Sequence, residues 1–229
     1  VGSGEAALHE IVAALRGTRK PDEPACALCL RSSQNVTSEV RAFFAEYVND
    51  PQAREVWRLA RGFCIEHTAL LATTGDALAI AILYADLARL TRERWQAGIP
   101  SAARSSLLAG LRGGRHTAGN GPCPACTITH AADVRNASAL AQALKENRSE
   151  VWEALEASTG LCAAHVEQVM ALCPQPVADR LRRQELERLS ALQAELEEII
   201  RKNDYRFRGE PWGAEKNAWL RALQKLRRP

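Results

Sequence analysis

The chain has 229 residues, enough to bury one large core or two smaller ones. Charged residues make up 25% of it, yet the formal net charge is only +3, so no global field marks a nucleic-acid or membrane-surface protein. Seven cysteines in a chain this long and this helical in pattern do not fit a small disulfide-stapled domain.

The charge is unevenly placed. Residues 1–97 sum to −1, 98–120 to +3, 121–200 to −5 and 201–229 to +6, so the basic excess lies in a central linker and in the tail. The opening VGSGEAALHEIV has no charged leader followed by an apolar run, and the most apolar stretch, ALAIAILYADLA at 77–88, is too short to span a bilayer. These features predict a cytoplasmic protein with no membrane contact.

In chain order, residues 1–20 predict an N-terminal helix carrying Leu8, Ile11, Val12 and Leu15 and ending near Gly17, followed by TRKPDEP as an extended lead-in. Residues 21–97 form a first module. It opens on Cys26 and Cys29, then predicts a helix from about Ser38 through Val40, Phe43, Phe44 and Val48. NDP at 49–51 breaks that helix and places Pro51 in the first turn of the next, which stops at Gly62. Cys64 to Leu71 is helical again, and Gly75 and Asp76 cap a helix reaching about Gln96. The first half of that helix, apolar nearly all round, predicts a central position or burial against a second subunit.

Residues 98–120 predict a glycine-rich, basic linker in which SSLLAGL forms a helical turn. The second module, 121–203, carries CPAC, a helix through Leu140 and Leu144, the capped segment NRSEVWEALEAS, and a helix to Leu172. A longest helix at 176–203 follows, with a seam of Leu181, Leu189, Leu192, Leu196, Ile199 and Ile200. Residues 204–229 are a basic aromatic tail with a short helix from about Ala214. No strand is predicted.

One pattern organises this chain. GFCIEH at 62–67 returns as GLCAAH at 160–165, and each copy follows a CxxC pair. Offsets of 97 and 98 residues superpose Cys26, Cys29, Cys64 and His67 on Cys123, Cys126, Cys162 and His165. The likeness extends to Trp57 and Trp152, each preceded by Glu-Val, at an offset of 95. CxxC converges two sulfurs on one ion, and Cys and His three apart share a helix face near an N-terminus that favours thiolate. Three sulfurs and one imidazole fill four positions, which points to two structural zinc ions; iron–sulfur clusters are the alternative. Within-module pairing is the simplest arrangement, and pairing of one module's CxxC with the other's CxxH satisfies the ligand count equally.

Other residues carry weaker signals. Glu66, between Cys64 and His67, would be a base in a hydrolytic site, but its counterpart is Ala164, so a solvated helix residue is the better reading. Cys173 has no counterpart and reads as a buried thiol; His130, His9 and His116 belong to no constellation. Tyr205, Phe207, Trp212 and Trp219 interleave with Arg201, Lys202, Arg206 and Arg208, a mixture that can bind nucleic acid. The preferred reading is that the aromatics dock the tail while its cations stay solvated. Trp57 and Trp152 read as core anchors.

The paired motifs CALC with GFCIEH and CPAC with GLCAAH, closed by NDYRFRGEPWG and NAWLRAL, resemble an uncharacterised family of bacterial cysteine-rich helical proteins, from about Cys26 to the end. The resemblance implies no function. The expectation is therefore an all-α protein of two tandem pseudo-symmetric helical modules, each with a three-cysteine, one-histidine metal site, packed into one helical body. Its role would be a non-enzymatic binding or adaptor protein with an unknown protein partner, dimerising through 77–88. An iron–sulfur or metal-handling redox protein, and a nucleic-acid binder working through the tail, are the alternatives.

Overall fold

The computed structural model describes residues 2–17, 26–73, 76–97 and 121–227. The predicted lead-in, the linker at 98–120 and Gly75 lie outside them. Among the described residues there are ten α-helices and no strand: α1 Gly2–Gly17, α2 Ala27–Ala42, α3 Pro51–Ala60, α4 Ile65–Ala72, α5 Ala77–Gln96, α6 Pro124–Lys145, α7 Ser149–Ala157, α8 Ala163–Ala171, α9 Gln175–Lys202 and α10 Ala218–Lys225. A π-helical turn, Phe43–Tyr47, extends α2, and a 3₁₀ turn, Ala214–Asn217, leads into α10.

Local chemistry accounts for the helix ends. Asp50 caps α3, its carboxylate accepting from the Ala53 N–H at 2.8 Å, and Pro51 occupies the first position, where a missing N–H costs nothing. Asp76 caps α5 in the same way through Ala79. α2 begins at Ala27, well before the predicted Ser38, because the Cys26 carbonyl already accepts the first helical bond, from the Leu30 N–H.

The chain divides into two compact units, Val1–Ser32 with Ala132–Pro229, and Ser33–Ala131, with the boundaries falling inside α2 and α6. In the first, α1 lies against α7 and α9 packs on α8. Its core joins Leu8, Ile11 and Leu15 to Leu28, Leu140, Leu144, Leu155 and Leu181. The second unit has its own core of Val36, Val40, Phe44, Trp57, Leu71 and Leu83. Trp57 and Trp152 are both buried as expected; Trp57 packs edge-on against Phe63 and Tyr84, and the Arg180 guanidinium stacks 3.8 Å over Trp152.

Of the two positions expected for α5, the fully buried central one is not taken: Ala79 and Leu83 face the core, whereas Leu78 is 73% exposed. The expected docking of the tail by its aromatics is corrected. The tail is held by its cations and not by its aromatics. Lys202 Nζ meets Glu215 Oε1 at 2.5 Å, Arg221 pairs with Glu195, and Lys225 pairs with the buried Glu185. Tyr205, Trp212 and Trp219 stay largely exposed. A buried carboxylate is costly without a partner: Lys225 of the tail reaches Glu185, and Lys202 at the end of α9 reaches Glu215 of the tail.

Candidate metal centres

Each of the four motifs begins a helix. Cys26, Cys64, Cys123 and Cys162 stand just outside α2, α4, α6 and α8, and the carbonyl of each accepts from the N–H four residues on. That is the N-cap position, and it puts Cys29, His67, Cys126 and His165 at the third helical residue. First and second members of each motif therefore point off the same helix end, where free N–H groups and the helix dipole favour thiolate.

The GxC step is built alike in both copies. Gly62 and Gly160 have φ of +91° and +80°, a region open to glycine, and the following cysteines are extended at φ −68° and −69°. Gly160 is also packed tightly: a Cβ there would lie 2.6 Å from Glu185 Oε1.

The eight residues gather into two groups of four, within each of which the ligand atoms lie within 4.8 Å of one another. The groups are crossed. Cys26 and Cys29 meet Cys162 and His165 in the first unit; Cys64 and His67 meet Cys123 and Cys126 in the second. This corrects the expected within-module pairing. The helix start that carries Cys26 and Cys29 buries Ala27 and Leu28 in the same core as Leu161 and Val166, so that core fixes its partner.

In the first group, His165 Nδ1 is 3.4, 3.2 and 3.2 Å from the sulfurs of Cys26, Cys29 and Cys162, and the Cys29 and Cys162 sulfurs are 3.7 Å apart. In the second, His67 Nδ1 is 3.2, 3.9 and 3.4 Å from Cys64, Cys123 and Cys126, and Cys64 and Cys126 are 3.7 Å apart. A tetrahedral zinc with bonds of about 2.3 Å to sulfur and about 2.0 Å to nitrogen sets sulfurs about 3.8 Å apart and sulfur from nitrogen by about 3.5 Å. The donor sets fit one small tetrahedral ion apiece. A cluster would spread its ligands over several irons and hold them wider. No disulfide competes, since all seven cysteines are free and a bonded pair would stand at about 2.05 Å.

The electrostatics follow from this crowding. Hydrogen bonds from Cys26 and Cys29, with help from His165, hold the Cys162 thiol far below its usual range, while the contacts with Cys162 and Cys29, and then burial, raise Cys26. Burial pulls His165 down, but Asp133, Cys162 and Cys26 outweigh it and raise the imidazole to about 11. In the second group burial, then Cys123 and Cys64, push Cys126 up to about 12, and burial lowers His67. An arriving cation would therefore displace protons from thiols and imidazole.

The far ring nitrogen of each histidine also has a neighbour. Asp133 Oδ1 is 3.5 Å from His165 Nε2, and Thr129 Oγ1 is 3.4 Å from His67 Nε2. Sequence reasoning passed over both; the place of Thr129 and Asp133 on α6, three and seven residues beyond Cys126, was the available signal. A cavity of about 220 Å³ borders Cys26 and Cys162, walled by Ser158, Arg188, Arg221 and Lys225. Glu66, His9 and His130 are exposed, and Cys173 is a half-buried thiol whose pKa burial raises. No helix among the described residues is long and apolar enough to cross a membrane.

No curated protein and no solved structure matches the chain. A family profile matches residues 115–229, starting later than the expected Cys26 and taking in Cys123, Cys126, Cys162, His165 and the tail. Each group thus draws two of its four residues from the matched stretch. By this match the chain belongs to DUF6062, a family of unknown function.

Proposed function

We propose that this is a metal-stabilised helical protein holding two zinc ions, one on Cys26, Cys29, Cys162 and His165 and one on Cys64, His67, Cys123 and Cys126. The observation that carries the reading is the spacing of the donors, close to that of a single tetrahedral ion in both groups. Three thiolates and an imidazole suit zinc by softness, and four protein ligands leave no open position for a substrate. The role is therefore a binding or adaptor one, with the ions fixing the frame. Six reduced cysteines in these two groups suit a reducing compartment such as the cytoplasm.

Spacing weighs against iron–sulfur clusters, and the pairing of Arg201, Lys202, Arg221 and Lys225 with carboxylates weighs against a nucleic-acid tail. The test is elemental analysis of protein purified without added metal. Two zinc per chain is the expected result. Iron with visible absorbance, or no metal, overturns it.

A further inference from the structure

The two groups share a ligand set but not an environment. In the first, Cys26, Cys162 and His165 are buried at 8, 3 and 7% exposure, and only Cys29 is partly open. The Arg227 guanidinium lies beside that open sulfur, and the Asp133 carboxylate stands behind His165. In the second, Cys123 alone is buried; Cys64, His67 and Cys126 are all partly exposed. Behind His67 stands a hydroxyl, that of Thr129, whose proton is already donated to the Ala125 carbonyl at 2.8 Å.

These differences bear on exchange. An incoming ligand must reach the ion while one protein ligand swings away, so solvent access and a loosely held imidazole speed the step. A carboxylate behind a metal-bound histidine fixes the ring and raises its basicity, and losing such a partner typically costs about 10–100-fold in metal affinity. The wall of the cavity beside Cys26 and Cys162 is held by ion pairs, Lys225 and Arg188 with Glu185 and Arg221 with Glu195.

We propose that the chain carries one permanent and one exchangeable ion: the Cys64, His67, Cys123, Cys126 group gives up its metal to small chelating ligands, while the Cys26, Cys29, Cys162, His165 group retains its own. This rests on the reading that both groups bind metal. The exchangeable group would respond to the supply of free metal and of competing thiol or aminocarboxylate ligands, and the retained ion would hold the first unit folded meanwhile.

The test uses the full chain loaded with two zinc, challenged with excess EDTA while remaining protein-bound metal is followed over time. Two phases of one equivalent each, at least about tenfold apart in rate, are expected. The fast phase should vanish in Cys126→Ser. Asp133→Asn, close in shape to the native residue, should quicken the slow phase by about 10–100-fold and leave the fast one alone; Thr129→Asp should slow the fast phase. A single phase of two equivalents, or a fast phase lost in Cys162→Ser in place of Cys126→Ser, overturns the inference while leaving two metal sites standing. Protein that binds no zinc removes the metal reading itself.

Discussion

The Cys29 sulfur stands 3.7 Å from the Cys162 sulfur although 133 residues separate them, whereas Cys29 and Cys64, only 35 apart, belong to different groups. This crossed pairing ties the two copies of the repeat together: neither copy can complete a ligand set from its own residues.

Metal stoichiometry reads that arrangement directly. Cys29→Ser and Cys64→Ser should each lose one zinc, and the two together should lose both. Cys29→Ser with Cys162→Ser should lose only one, because both substitutions strike the same group. Within-module pairing predicts the reverse pattern of doubles, and elemental analysis of the four proteins would distinguish them.

Stripping both ions at neutral pH should abolish cooperative unfolding, since structural zinc contributes on the order of 10 kcal/mol of apparent folding free energy per ion. Thermal melting followed by far-UV circular dichroism, with and without chelator, checks this. A melt unchanged after complete metal removal would contradict a structural role.

Gly160→Ala should destabilise the first unit by at least about 2 kcal/mol, from the positive φ and the approach to Glu185. Gly62→Ala should cost less, because the nearest atom to its Cβ, 3.1 Å away, is the end of the flexible Leu87 side chain. Urea unfolding of both variants gives the comparison, and equal losses would show that Glu185 yields easily.

Acid should loosen the tail through Glu215. The Gly213 N–H at 2.8 Å, and then Lys202, hold its pKa at about 2, below the usual carboxylate range near 4.3. A depressed carboxylate contributes stability that is full above its unfolded pKa and is lost as pH falls from about 4 towards about 2. Trp212, 5.8 Å from Lys202 Nζ, should report this in fluorescence, and Glu215→Gln should remove the transition in that window. A transition of the same size in the variant would assign it elsewhere.

Much of the local structure was legible because one turn of helix decides it. Asp50 before Pro51, Asp76 before the α5 run, and Gly62 and Gly160 before their cysteines each act on backbone groups within four residues. The start of α2 was misjudged because Cys26 was weighed as a ligand and not also as a cap. The tail was misjudged because composition gives no sign that Glu185 and Glu215 are buried and must be paired.

By itself the sequence determined which eight side chains form the candidate ligand set and that Cys and His of the CxxH motif share a face at a helix start, since that spacing is a property of a single helix turn. Only the tertiary structure decided which pairs share a group. Widening the closed loop from 35 to 133 residues costs only about 1 kcal/mol of chain entropy. Burying a leucine such as Leu28 in the first unit's core contributes about 1.5–3 kcal/mol. Core packing therefore outweighs nearness along the chain, and packing is what sequence spacing does not record.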